Sequence, residues 1–321
     1  MSPWTEHGGR LARARSVFAS GGLPWIDLST GINPQPWPGV ERLTIDWARL
    51  PEADALADLE AAAAHYFGAD PQCVMALPGT EIGLRLLGEC LPKPARYRWP
   101  SYRTHAEMVP GAIPIAPEAP DAHEGTLILA NPNNPDGRVT PADTLRAQMA
   151  KGWLVVDEAF ADPDPYHSLA HQVGADRRLI VLRSFGKFFG LAGVRLGFLL
   201  APPERIAEFR ARVGAWPVSA AAIAIGAAAY RDSGWIEAMR AGLPRQAAAL
   251  DRVLEKHGFA PTGECPLFRL IETESAPALF DRLARRAILT RPFDNAPHWL
   301  RVGLPPDAAA LERLDAALAN G

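Results

Sequence analysis

Three short apolar runs, each ending in polar residues, constrain this chain more than any other feature. Residues 126–130, 153–156 and 180–182 read as buried strands, being short, apolar and rich in branched side chains. Helical patterns stand between such runs, one of them starting at Thr140-Pro141 and ending near Ala150. Strands alternating with helices predict βαβ units and a mostly parallel sheet. Ligands of such sheets gather at the carboxyl ends of the strands. There the first run gives way to Asn131-Pro132-Asn133-Asn134-Pro135-Asp136-Gly137 and the second to Asp157-Glu158-Ala159-Phe160. The third gives way to Arg183-Ser184 and then reaches Lys187. An amide, a carboxylate and an amine are thereby predicted to meet along one edge.

The remaining chain divides by texture. Residues 1–50 are rich in Gly, Pro and Trp and are predicted to be an irregular N-terminal arm, laid over the body by Trp25, Ile26, Leu28, Ile32 and Trp37. A helix is predicted from Asp54, read as its N-cap, to a stop at Gly68. Residues 74–77 then lead into Gly79-Thr80-Glu81, which opens a second helix through Cys90. A helix N-terminus entered through a small turn residue suits a phosphate. After about residue 202, helical patterns at 202–213, 219–231, 234–257 and 275–286 alternate with short strands near 266–271, 287–290 and 298–303, and a last helix begins at Asp307. The expected organisation is an arm (1–50), a large domain (51–213) and a small C-terminal α/β domain (214–321).

Composition excludes several classes. With 33 basic and 36 acidic residues the net charge is −3, which leaves no basic footprint for nucleic acid. Cys73, Cys90 and Cys265 are odd in number and widely spaced, offering neither a disulfide framework nor a metal pair, so a cytoplasmic setting is expected. The first ten residues lack signal-peptide logic, and the longest apolar stretch, Val218 to Tyr230, is too short to span a membrane. No GxxxxGK[ST] accompanies the acidic strand end, and no GxGxxG is present, which removes the usual nucleotide fingerprints. His167 and His171 share i, i+4 spacing without an HExxH context, so no metal site is expected. His65, His105, His123, His257 and His298 read as ordinary surface or core histidines.

Lys187 sits among Phe188, Phe189 and Leu191, with Ser184 three residues before it and Arg195 eight after. An amine in that setting suits a Schiff base with an aldehyde cofactor whose phosphate is held by Ser184 and Arg195. The pattern Ser-x-x-Lys, small residues, then Arg-Leu-Gly resembles the lysine signature of the fold-type I pyridoxal-phosphate enzymes. That class includes aminotransferases such as those acting on histidinol phosphate. The resemblance implies the fold of that class, pyridoxal 5′-phosphate as cofactor, and a homodimer. Asp157, acceptor-only at the end of an apolar strand, would keep the cofactor's ring nitrogen protonated. By resemblance Asn134 meets the phenolic oxygen and Tyr102 stacks on the ring, while the helix N-terminus assigns Gly79, Thr80 and Glu81 to the phosphate end. Taken singly, NPNNPDG also reads as a plain turn and Tyr102 as a structural aromatic.

Within the class the chain is most similar to the threonine-phosphate decarboxylases of cobalamin biosynthesis. His7-Gly8-Gly9 followed by DLSTGINP resembles their arm, which implies that His7 and Asn33 line the substrate pocket. Phe160 stands where aminotransferases usually carry tyrosine, and Trp216-Pro217-Val218 resembles a segment of the decarboxylases. Arg291 and Arg301 suit a doubly anionic substrate; by resemblance Arg301 takes the α-carboxylate and Arg291, with His7, the phosphoryl group. Both arginines also match the histidinol-phosphate enzymes, so a phosphorylated amino substrate is expected whichever bond breaks. Decarboxylation and transamination differ in the orientation of the substrate, and both stay open here, as does a catalytically silent paralogue. Leu50 departs from the tyrosine that relatives often place against the neighbouring subunit's cofactor.

Overall fold

The computed structural model describes residues 3–18, 21–117, 119 and 124–319. Its contacts divide the chain into two compact units. One comprises Met1–Gln35, Pro135–Arg138 and Met239–Gly321; the other comprises Pro36–Asn134 and Val139–Ala238. These differ from the boundaries expected at 50 and 213. Helix Ala220–Tyr230 packs on helix Ala53–Phe67, so the larger unit runs past residue 213. Trp37 donates its backbone N–H to Phe189 and its indole Nε1–H to Asp232, which ties the second part of the expected arm to that same unit.

The larger unit is built on a seven-stranded sheet: β1 (Val74–Leu77), β2 (Ala95–Arg98), β3 (Ile113–Ile115), β4 (Thr126–Ala130), β5 (Trp153–Asp157), β6 (Leu179–Ser184) and β7 (Gly197–Leu200). Spatial order is β1-β7-β6-β5-β4-β2-β3, and only β7 runs against its neighbours. The central strands are apolar without alternation because both faces are covered. One face packs Met75, Leu77, Ile128, Val155, Ile180, Leu182 and Leu199 with Leu84, Leu87, Ile206 and Phe209 from the helices. An aromatic cluster of Phe67, Phe185, Phe189, Phe198 and Tyr230 forms a second packed region. The helix ending at Gly68 begins at Ala53 with Glu52 at its cap, and no side chain caps it. Asp54 lies instead in the first turn, where its charge favours the helix dipole.

The smaller unit carries a three-stranded antiparallel sheet of β8 (Phe268–Glu272), β9 (Arg291–Pro292) and β10 (Trp299–Gly303), with β10 central. The opening residues are more ordered than an irregular arm: Pro3–Glu6 and Leu11–Val17 are helical, and Ile26–Asp27 pairs in parallel with Ile288–Leu289. Among the described residues, no helix is long and apolar enough to cross a membrane. His123 lies outside the described residues.

Candidate active site

Parallel pairing sets Ala130 level with Asp157, and Asp157 level with Leu182. The carboxyl ends of β4, β5 and β6 therefore come together, as alternating strands and helices require. Asn134 is half-buried in the loop after β4. In that loop Asn131 exchanges hydrogen bonds with the Thr140 backbone, and Asn133 donates to the Pro100 carbonyl ahead of Tyr102. Lys187 is half-buried on the single helical turn Phe185–Phe188 after β6, its Nζ 5.7 Å from the Phe160 ring centroid.

Asp157 is 6% exposed. Its Oδ1 accepts from the Ala159 backbone N–H at 3.1 Å, and its Oδ2 lies 3.2 Å from His105 Nε2. His105 is fully buried and its Nδ1 has no hydrogen-bond partner. That arrangement places the imidazole proton on Nε2, donating to the carboxylate, because a second N–H at Nδ1 would be buried unpaired. In sequence His105 reads as an ordinary histidine, and its contact with Asp157 is made only by the fold. Its signal was its place three residues after Tyr102, one turn along helix Arg103–Glu107.

Gly79, Thr80, Ser184 and Arg195 form a cradle. Gly79 caps helix Thr80–Gly88 at φ +92°, and a Cβ there would stand 2.7 Å from the Arg195 guanidinium. Gly197, opposite Ser184 in the β6–β7 ladder, lies against the helix start, where a Cβ would come 2.8 Å from the Thr80 nitrogen. Two glycines thus let a guanidinium and a helix N-terminus close on one place beside a hydroxyl. This donor set fits a phosphate monoester. The Glu81 side chain points elsewhere, accepting from Tyr102 Oη at 2.9 Å, from Thr104 Oγ1, and from Arg85 Nε at 3.0 Å.

A buried charge cluster that the sequence reading missed stands behind these residues. Arg183 donates to Glu158 Oε2 and Ser168 Oγ, each at 3.0 Å, and pairs with Asp162. All three charged groups are at most 2% exposed, and burial pushes the Glu158 carboxyl up. Glu158 follows Asp157 and Arg183 precedes Ser184, so the cluster fixes the ends of β5 and β6 together.

The expected substrate residues belong to the smaller unit. Arg291 and Arg301 are direct partners across the β9–β10 pair. Arg291 donates to the Thr5 and Glu6 carbonyls and Arg301 to the Ser29 carbonyl. Burial, then repulsion from Arg291, lowers Arg301 to about 9. His7 is exposed, next to the Thr5-Glu6 segment that Arg291 grips. Asn33 is buried; its Oδ1 accepts from the Gln35 N–H and its Nδ2 meets the Met239 sulfur at 3.5 Å.

Residues 25–318 match the model of the family described as aminotransferase class I and II. The chain belongs to that family. Within it, a threonine-phosphate decarboxylase from a Sinorhizobium species is 40% identical, covering 100% of this chain and 99% of its own length. A threonine-phosphate decarboxylase from Pseudomonas aeruginosa is 41% identical, covering 98% and 97%. Among solved family structures, histidinol-phosphate aminotransferase from Sinorhizobium meliloti, in complex with pyridoxal-5′-phosphate, superposes with a TM-score of 0.80 at 22% identity, covering 94% of this chain and 95% of that one.

Proposed function

We propose that the chain is a pyridoxal-phosphate-dependent decarboxylase, converting L-threonine O-3-phosphate to (R)-1-amino-2-propanol O-2-phosphate and carbon dioxide in cobalamin biosynthesis. The observation that carries this reading is the pair of decarboxylase relatives at 40% and 41% identity over nearly the whole chain. The aminotransferase of known structure, at 22%, shares the fold.

In this reading the larger unit holds the cofactor: Lys187 its aldehyde carbon, Asp157 its ring nitrogen, Tyr102 its ring face, Asn134 its phenolic oxygen. Gly79, Thr80, Ser184 and Arg195 hold its phosphate. When bound, the cofactor supplies an aldehyde that captures the substrate amine and a ring that accepts the electron pair of the breaking carbon–carboxylate bond. Asp157, steadied by His105 and the Ala159 N–H, keeps a proton on the ring nitrogen. Arg301 takes the substrate carboxylate, Arg291 with His7 takes the phosphoryl group, and Asn33 lines the pocket. After carbon dioxide leaves, Lys187 Nζ or a water delivers a proton to the α-carbon. Phe160 presents only a ring face to Lys187 and no hydroxyl.

We place this enzyme in the cytoplasm, an environment that suits its three free cysteines, and read it as a homodimer. Trp47 and Leu50, 78% and 63% exposed, supply apolar surface for a second copy. Sedimentation of the purified chain tests the dimer. The function is tested by supplying phosphothreonine and histidinol phosphate side by side. Carbon dioxide released from phosphothreonine supports the decarboxylase. Glutamate-dependent turnover of histidinol phosphate without carbon dioxide would replace it with the aminotransferase. A chain left colourless by pyridoxal 5′-phosphate and unmodified under borohydride would exclude both.

A further inference from the structure

Glu81 occupies the first turn of helix Thr80–Gly88, where a carboxylate would compete with a bound phosphate for the helix N-terminus. The structure turns that carboxylate away. Its two oxygens take the Tyr102 phenol at 2.9 Å, the Thr104 hydroxyl at 3.0 and 2.9 Å, and Arg85 Nε at 3.0 Å. Arg85 also pairs with Glu107 at 2.7 Å, at the far end of the five-residue helix that Tyr102 caps. The first-turn N–H groups are thereby left to the phosphate cradle, and the phenol is held at its tip.

We propose that Glu81 is a positioning residue which, braced by Thr104 and Arg85, fixes the Tyr102 ring so that one face is presented to the cofactor. This rests on the reading that pyridoxal phosphate lies against Tyr102. A ring held only by its Cα–Cβ bond rotates about χ1 and χ2; a charge-assisted hydrogen bond at the hydroxyl removes that freedom before the cofactor arrives. Burial, then the charge of Glu81, pushes the phenol up to about 12, so it remains a neutral donor across the working pH range. His105 meets the edge of the same ring at a centroid distance of 5.9 Å and carries the contact on to Asp157.

The test uses Glu81→Gln, Tyr102→Phe, the double variant and Thr104→Val. In the cofactor-free chain, phenolate absorbance after a rapid pH jump, wild type minus Tyr102→Phe, should place Tyr102 near 12, and Glu81→Gln should lower it, burial keeping the remainder of the rise. Pyridoxal phosphate should bind Glu81→Gln roughly tenfold more weakly, the lower end for a hydrogen bond to a charged group, with a smaller induced circular dichroism in the visible. Thr104→Val should show a weaker form of both effects. In the Tyr102→Phe background Glu81→Gln should add nothing. An undiminished tenfold loss in that background would make Glu81 a direct ligand and overturn the proposal. Unchanged affinity and dichroism with only a lowered melting temperature would reduce Glu81 to a structural brace. Failure of the wild type to bind pyridoxal phosphate would overturn the functional reading, while the phenol titration would still judge the Glu81–Tyr102 link by itself.

Discussion

Replacing Arg301 with methionine should make the ligand-free chain more stable while abolishing substrate binding. Arg301 is 5% exposed and faces Arg291 directly across two strands, so burial and like-charge repulsion both oppose its charge. A fall from the ordinary guanidinium range to about 9 corresponds to about 5 kcal/mol, at roughly 1.4 kcal/mol per pKa unit. The hydrogen bond to the Ser29 carbonyl returns about 1.5–3 kcal/mol. Arg301→Met should therefore gain about 2–3.5 kcal/mol at neutral pH, or ~3–5 °C in melting temperature, given an unfolding entropy of about 2.1 cal/mol/K per residue. The sign fixes the pH dependence. A base depressed in the folded state binds fewer protons there than when unfolded, so its penalty is complete below about pH 9 and fades as pH rises above that toward the ordinary guanidinium range. The gap between variant and wild type should narrow over that window in urea denaturation. Saturating phosphothreonine should stabilise the wild type by about 2.7 kcal/mol at a hundred times its Kd and leave the variant unmoved. A variant several kcal/mol less stable at pH 7, or a gap constant above pH 9, would refute the reasoning.

Arg183→Met leaves Glu158 and Asp162 buried without their cation and should cost about 3–5 kcal/mol in chemical denaturation. Gly79→Ala strains a backbone at φ +92° and drives a methyl into the Arg195 guanidinium; pyridoxal phosphate affinity, followed by fluorescence quenching, should fall at least tenfold. Phe160→Tyr adds a hydroxyl near Lys187; by offering a donor to the cofactor's phenolic oxygen it should lower the midpoint of the visible-absorbance pH titration, and a rise or no change would count against that placement.

Much of the fold was legible because its signals are local. The apolar runs and their polar ends are properties of a few adjacent residues, and they placed Asp157, Ser184 and Lys187 at strand ends without any knowledge of packing. Strand β3 escaped notice: Ile113-Pro114-Ile115 has a proline in its middle and sits at the sheet edge, where an unpaired N–H is tolerated. Helix Ala220–Tyr230 was visible as a helix, yet its apolar surface gave no direction, so its attachment to helix Ala53–Phe67 was not. Glu81 was assigned to the phosphate end by its neighbours in sequence, whereas its side chain reaches Tyr102, 21 residues away.

The sequence by itself determined which elements form, in what order, and which chemical groups stand at the strand ends, since hydrophobic period and turn chemistry are set within one or two turns of chain. Only the tertiary structure decided which groups touch. His105 reaches Asp157 across 52 residues and Arg301 faces Arg291 across a ladder. Such contacts depend on register and packing, and a shift of one residue along a strand would turn each side chain to the opposite face.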